Sequence, residues 1–346
     1  MADVGITALS KTLIGVEASA GGSTDTPSTH WRGMGTLADR REIVNPPERV
    51  GKIGGTTRSY TPVTGSEVTL EGDATFEQLC YIKNAGIYGV SATTDAGSAQ
   101  VRQWDVQADS TSPISTTDLY TMVIEVGDNI SMERARYCFV REYTETGRQG
   151  EALQVNAMLP GRAPSTDSAF STVGDTDLQN SAQSILCSKV ALYIDASTDT
   201  PGTTQNTLTY LEHTLRHTTG WVILPARDGR TDLSDIKHVD DEILLDVVFE
   251  HNGYANTEKA AWRDETERVI RLEFTGDAMS TTDAGATYNE YTYRADLYGK
   301  WLTFGAEGLE EQDGDNIYRG TLRVAYSAAA DNKATFIIAN ETASLP

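Results

Sequence analysis

Two histidines four residues apart, His213 and His217, are the first pair in this 346-residue chain that could do chemistry. On a helix that spacing turns both imidazoles to one side, as in the H-E-x-x-H zinc helix whose glutamate is the general base. No glutamate follows His213 here, and Leu211, His213, Leu215 and His217 alternate at strand period. The spacing therefore predicts two histidines on one face of a strand. Gly33-Met34-Gly35-Thr36-Leu37-Ala38 fits a loose dinucleotide fingerprint. Neither an apolar strand before it nor a strong helix after it supports that use. A GxSxG nucleophile elbow and a GxxxxGK[ST] phosphate loop are both absent. The acidic clusters remain. Residues 305–315 (GAEGLEEQDGD) carry Glu307, Glu310, Glu311, Asp313 and Asp315 with no base among them, and 239–242 (VDDE) is a second cluster. Hard cations take oxygen ligands, so a structural Mg2+ or Ca2+ is the alternative there to a solvated loop. The spacing does not match an EF-hand, and nothing singles out a carboxylate pair for glycoside hydrolysis. The expectation is a protein that is not an enzyme and has no cofactor.

Three cysteines, Cys80, Cys138 and Cys187, lie far apart with no CxxC pair. That pattern argues against a disulfide framework or zinc ribbon and for buried thiols. Asp and Glu number 50 against 28 Lys and Arg, a formal net charge of −22, and only 8 of the basic residues are Lys. The imbalance is uneven, since residues 1–60 carry 7 basic and 6 acidic side chains. Phosphate backbones are bound by Lys and Arg, so tight nucleic-acid binding is disfavoured. Two uses of the acidity remain: a surface that repels a polyanion, or adaptation to high salt. No run approaches the ~18 apolar residues of a membrane span, and the N-terminus lacks a secretory pattern, so folding in a cytoplasm is expected.

The elements that must position these residues are mostly strands. Residues 1–30 read as a Gly/Ser/Thr-rich arm. Residues 31–65 read as an extended excursion or hairpin, with Trp31, Arg40, Arg41, an Asn-Pro-Pro turn and GKIGGTT. Residues 66–346 read as the β domain, with a duplicated or inserted second half from about 188. Val68 and Leu70 alternate as in a strand, and Asp73 is a plausible N-cap for a helix over 75–85. Strands are predicted at 119–126, 136–143, 151–159, 189–195, 207–217, 220–224, 242–250 and 267–274, with more in the last third, and a helical patch at 257–264. The strand and helix SEVTLE and ATFEQL are faintly echoed by EILLDVVFE and TEKAAW. About a dozen strands and one or two helices make an antiparallel sandwich or barrel with a flanking helix.

The order of features resembles the major tail-tube proteins of long-tailed viruses. KTLIGVEASAGGSTDTP looks like the family's Gly-rich arm, VTLEGDATFEQLCYIKNAGIYG like its strand and helix, and LYTMVIEVGD like its strand with a Gly-Asp turn. RYCFVREYTETGRQGEALQVNAMLPGRAP looks like the paired strands that follow; KVALYID, HTTGW and TEKAAWRDETERVIRLEFTG look like a second set. The resemblance implies a sandwich whose subunits continue sheets across their edges into hexameric rings. Rings stack into a tube around a tape-measure protein, ended by a tail terminator and by distal tail or baseplate proteins. DNA passes through an acidic lumen without tight binding, and no membrane is involved. The implied location is the virion tail, after assembly in the host cytoplasm. Inter-ring contacts are expected at Trp31, Arg40, Arg41, Arg49, Arg58 and Tyr60. The scarcity of Lys suggests a salt-loving, archaeal host. The competing readings are a head decoration or baseplate protein, and a lectin-like or carbohydrate-active sandwich using Trp104, Trp221, Trp262 and Trp301.

Overall fold

The computed structural model describes residues 5–22, 25–47, 49, 58–106, 119–167, 169–173, 182–198, 200–206, 210–224, 229–306, 308–312 and 314–343. In chain order these form β1 (Lys11–Val16), β2 (Thr29–Trp31), β3 (Met34–Asp39), β4 (Glu42–Val44), β5 (Tyr60–Val63), β6 (Ser66–Asp73) and α1 (Gln78–Gly86). There follow β7 (Val90–Thr94), β8 (Gln100–Val106), β9 (Met122–Gly127), β10 (Met132–Cys138), β11 (Glu142–Arg148), β12 (Gln154–Gly161) and β13 (Ser165–Asp167). The second half contains β14 (Val190–Ala196), β15 (Tyr210–Thr218), β16 (Trp221–Leu224), β17 (Asp235–His238), β18 (Glu242–Glu250) and α2 (Gly253–Arg263). It ends with β19 (Arg268–Ala278), β20 (Glu290–Phe304), β21 (Glu310–Gln312), β22 (Asp315–Val324) and β23 (Ala334–Asn340). The fold is mainly β, antiparallel throughout its large sheets, with two α-helices among the described residues. Neither helix is long and apolar enough to cross a membrane.

Alternation drives the sheets. On β6, Val68 and Leu70 point into the core while Glu67, Thr69 and Glu71 point out, and β12 repeats the pattern with Val155, Ala157 and Leu159 inside. Helix α2 starts where the Asn252 side chain accepts the Tyr254 and Ala255 N–H groups at 3.0 and 3.1 Å. Helix α1 begins later than the sequence predicts. Asp73 ends β6, and Thr75 Oγ1 takes the Gln78 N–H instead. All nine α1 residues are buried, so this helix is a core element.

The segment read as one strand at 136–143 is two. Its aromatic and β-branched residues hide a break at residues 139–141, where the chain passes from β10 into β11. The N-terminal arm is also built in. Leu13 and Ile14 of β1 are buried and pair with Glu125 and Ile124 of β9. The excursion divides into β3, which pairs with β6, and a separate β4–β5 hairpin. GKIGGTT at 51–57 lies outside the described residues.

The pairing order of the first half is repeated by the second. In the first, β13-β10-β9-β1-β2 is one sheet and β3-β6-β12-β11 runs along the other. In the second, β23-β20-β19-β14 matches the former, and a Tyr193–Gln205 bridge stands where β2 would be. The run β15-β18-β22-β20 matches the latter. Hairpin β16–β17 falls between β15 and β18 as β4–β5 falls between β3 and β6, and α2 follows β18 as α1 follows β6. The long β20 does the work of β10 and β11 together. Its first part pairs with β19 and β23, and from Gly299 onward it pairs with β22. The halves share one sheet, because β11 pairs with β15 from Glu142–Thr218 to Arg148–Glu212. The β7–β8 hairpin reaches across to extend β23.

Candidate functional site

The fold organises one continuous face on an eight-strand run, β3-β6-β12-β11-β15-β18-β22-β20. Registers fix which side chains share it. One row crosses all eight strands as Met34, Glu71, Asn156, Thr144, Arg216, Leu244, Arg323 and Lys300. A second row reads Thr36, Thr69, Met158, Glu142, Thr218 and Glu242. These side chains are exposed or half-buried. The row between them, Gly35, Leu70, Ala157, Tyr143, His217 and Ile243, faces the core, and from Leu70 to Ile243 it is buried. The outer face is rich in threonine, and Glu67, Glu71, Asp73, Glu142, Glu212, Glu242 and Asp246 outnumber Arg148, Arg216, Arg319, Arg323 and Lys300. Arg216 is paired with Asp246, and Arg323 lies 3.6 Å from Glu242.

Among the described residues no further strand pairs with either end of the run. Strand β3 pairs there only with β6, and Lys300–Phe304 of β20 only with β22, with the Leu302 carbonyl accepting the Trp262 indole N–H at 3.0 Å. Both edges carry an exposed apolar side chain, Met34 at 74% and Leu302 at 50%.

The residues expected to make inter-ring contacts separate into two groups. Arg40, Arg41, Arg49, Arg58 and Tyr60 are exposed on or beside the β4–β5 hairpin, together with Ile43 and Val63. Arg40 pairs with Glu67, and Arg41 lies 3.4 Å from Asp39. Trp31 is elsewhere. It is only 4% exposed, packs in the main core, and donates its indole N–H to the Glu71 carbonyl at 3.1 Å. A lone tryptophan in a polar stretch gives no sequence sign of that burial.

Within the acidic loop, Glu307 and Asp313 lie outside the described residues. Glu310 and Glu311 belong to β21, which folds back on β22, and Asp315 begins β22. Glu310 accepts from Arg319 at 2.9 Å. No three His, Cys, Asp or Glu side chains converge as a metal cage among the described residues. In the second cluster Asp241 and Asp240 lie 2.6 and 3.4 Å from the Lys333 ammonium. His213 and His217 sit on β15 and point inward, both buried, as strand period predicts. Burial pushes the His213 imidazole down to about 4 and holds that of His217 well below its ordinary range, with Lys83 adding to the effect on His217. The three cysteines are free and buried, and burial pushes their thiols up, Cys80 to about 12 and Cys187 to about 11. Trp104, Trp221 and Trp301 are buried and line no exposed groove, while Trp262 is half-buried, packs against the core and donates its indole N–H to the Leu302 carbonyl at 3.0 Å.

Beneath the sheet lies a polar cluster that the sequence pattern did not disclose. The Lys83 ammonium on α1 donates to Glu145 Oε1 at 2.6 Å and to the Tyr143 hydroxyl at 2.8 Å. Tyr293 donates to Glu145 Oε2 at 2.6 Å, and His217 Nδ1 is 3.0 Å from Tyr143. The ammonium also stands 3.8 Å from the Phe336 ring centroid. Lys83 at 0% and Glu145 at 1% exposure are closed to solvent. The cluster spans the seam between the two halves, with Lys83, Tyr143 and Glu145 from the first and His217, Tyr293 and Phe336 from the second. Lys83 follows Phe76 and Leu79 at helical spacing, which marks a buried position but does not name its partner.

The chain matches no protein-family model and no curated protein sequence.

Proposed function

We propose that this chain is a structural virion protein that polymerises with itself. Stacked rings of it form a tail tube, and viral DNA passes through a lumen lined by the outer face of the eight-strand run. One observation carries the reading: a continuous polar sheet face, richer in carboxylates than in cations, whose end strands on either side pair with no further strand among the described residues. Free edges invite pairing with another chain, and a head-to-tail contact that closes gives a ring. A carboxylate-rich wall favours sliding of a polyanion over capture. The β4–β5 hairpin, with Ile43, Tyr60 and Val63 exposed among arginines, supplies the contact between rings. The partners of such a tube are its own copies, a tape-measure protein, a tail terminator and distal tail or baseplate proteins, and its place is the virion tail.

Negative-stain microscopy of the purified chain tests this. Stacked-ring tubes are expected. A chain that stays monomeric at high concentration overturns the reading, and closed shells or lattice patches replace it with a decoration role. Exchanging Glu42–Val63 for a short Gly/Ser turn should leave rings but abolish long tubes. Long tubes without the hairpin would refute its stacking role.

A further inference from the structure

We propose that the chain is a tandem pair of equivalent β units, and that it docks a second copy of itself by repeating between chains the junction it already contains within one. The Met34–Asp39 edge of one chain pairs with the Lys300–Phe304 edge of the next. The partner is therefore this same chain, and a ring holds twice as many β units as chains. This deepens the tube reading and rests on it only for the stacking of rings.

The internal junction is the template. Strand β11 of the first half pairs with β15 of the second over seven residue pairs, Glu142–Thr218 to Arg148–Glu212. By position in the repeated order, β15 corresponds to β3, and β11 corresponds to the Gly299–Phe304 part of β20. Those two strands are the ones at the ends of the run, where among the described residues no further strand pairs, although the Leu302 carbonyl accepts from Trp262 of α2. The first half thus ends in the type of edge that the second half begins by accepting, and the second half ends in that same type. Such a contact is heterologous, so it continues until it closes.

Burial supports the assignment. The inward residues His213, Leu215 and His217 of β15 are buried under their neighbour β11. On β3 the corresponding inward residues Gly35 and Leu37 are only half-buried. An open trough of about 760 Å³ runs beside them, and a smaller one of about 220 Å³ lies against Leu302 and Tyr298 at the other end. Both are what a sheet edge looks like without its next strand. The two junctions differ in one respect. The β7–β8 hairpin of the first half extends β23, whereas α2 leads into β19 through residues 264–267 with no hairpin between, so junctions within and between chains alternate around the ring. A six-lobed ring then contains three chains.

Cysteines placed at Thr36 and Lys300 test the docking, because both positions lie on the outer face and the native thiols are buried. In assembled protein, a short bis-maleimide should link T36C chains to K300C chains when the two single variants are mixed. The T36C/K300C double variant should give a ladder that ends in a closed band. Links between two copies of T36C or two of K300C, or no links in protein that has assembled, overturn the proposal. Counting gives an independent readout. Top views should show twice as many lobes as native mass spectrometry gives chains, and equal numbers overturn it. Tubes that form without the Thr36–Lys300 link defeat the docking and leave the tube reading standing. Linked, closed rings that never stack do the reverse.

Discussion

The buried ion pair at the seam permits a sharp test of what holds the two halves in register. Lys83 uses two of its three N–H donors on Glu145 and Tyr143 and turns toward the Phe336 ring, while both Glu145 oxygens are taken, one by Lys83 and one by Tyr293. Burial pushes the Lys83 ammonium down in pKa, and the Glu145 carboxylate beside it opposes that shift. Burial also pushes both phenols well up, so neither tyrosine shares the negative charge. Lys83→Met fills a similar volume but strands a carboxylate that water cannot reach, with Tyr293 as its remaining donor. Removing one partner of such a pair costs about 3–5 kcal/mol. Glu145→Gln strands the ammonium and should cost a similar amount. In Lys83→Met/Glu145→Gln no charge remains, and the glutamine carbonyl still accepts from Tyr293. The double variant should therefore lie within about 1–2 kcal/mol of the parent, because replacing a buried pair by neutral groups is often nearly neutral. Denaturant unfolding of the unassembled chains, followed by tryptophan fluorescence, measures the three differences. Effects that simply add in the double variant would mean that the two charges do not compensate one another, and the reasoning would fail.

Two further outcomes follow from buried groups and from charge. His213 titrates near 4 when folded against about 6.5 when unfolded, so between those values the unfolded chain takes a proton that the folded chain refuses. Stability contributed by its neutral form is thus present above about pH 6.5 and falls by about 3 kcal/mol as pH drops to 4. In His213→Asn that portion of the pH dependence should disappear from the difference curve against the parent, and parallel curves would refute the assignment. Thermal midpoints and ring formation should both rise from low to multimolar salt, as the excess carboxylates are screened; unchanged values in both would remove high-salt adaptation as a cause of the acidity.

Much of the fold was legible because alternation is a strong local signal. Strands β12, β15, β18 and β19 lie close to where hydrophobic period placed them, and the echo between the strand-helix pairs at β6–α1 and β18–α2 is one part of a repeat that runs through both halves. Pairing order, which makes the repeat plain, is a long-range property with no local signature. The break between β10 and β11 was hidden because the residues at 139–141 are Phe, Val and Arg, with no Gly or Pro to punctuate it. Residues 11–16 read as part of a Gly/Ser/Thr-rich arm, yet β1 joins a sheet because β9 offers it a partner. The hairpin arginines were legible as a basic cluster outside the acidic part of the chain. The seam cluster was not, since Lys83 and Glu145 are 62 positions apart and meet only in the folded chain.

The two causes offered for the net charge of −22 need not act on the same surface. Four of the cations on the sheet face are held by acids: Arg216 by Asp246, Arg323 by Glu242, Arg319 by Glu310 and Lys300 by Glu267. A phosphate chain gains affinity by releasing counterions to Lys and Arg. A cation already paired with a carboxylate offers little of that gain. On the tube reading, such pairing would add to the carboxylate excess in keeping DNA from being held. Salt would weaken long-range repulsion and these exposed pairs alike, because the Debye length falls to about 3 Å at 1 M. Part of the acidic excess lies elsewhere. Asp264, Glu265, Asp283 and Glu290 are exposed around the strands of the second half that are not part of the sheet face. Their position suits solvation of the protein surface, so a response to salt has carboxylates to draw on beyond those of the sheet face.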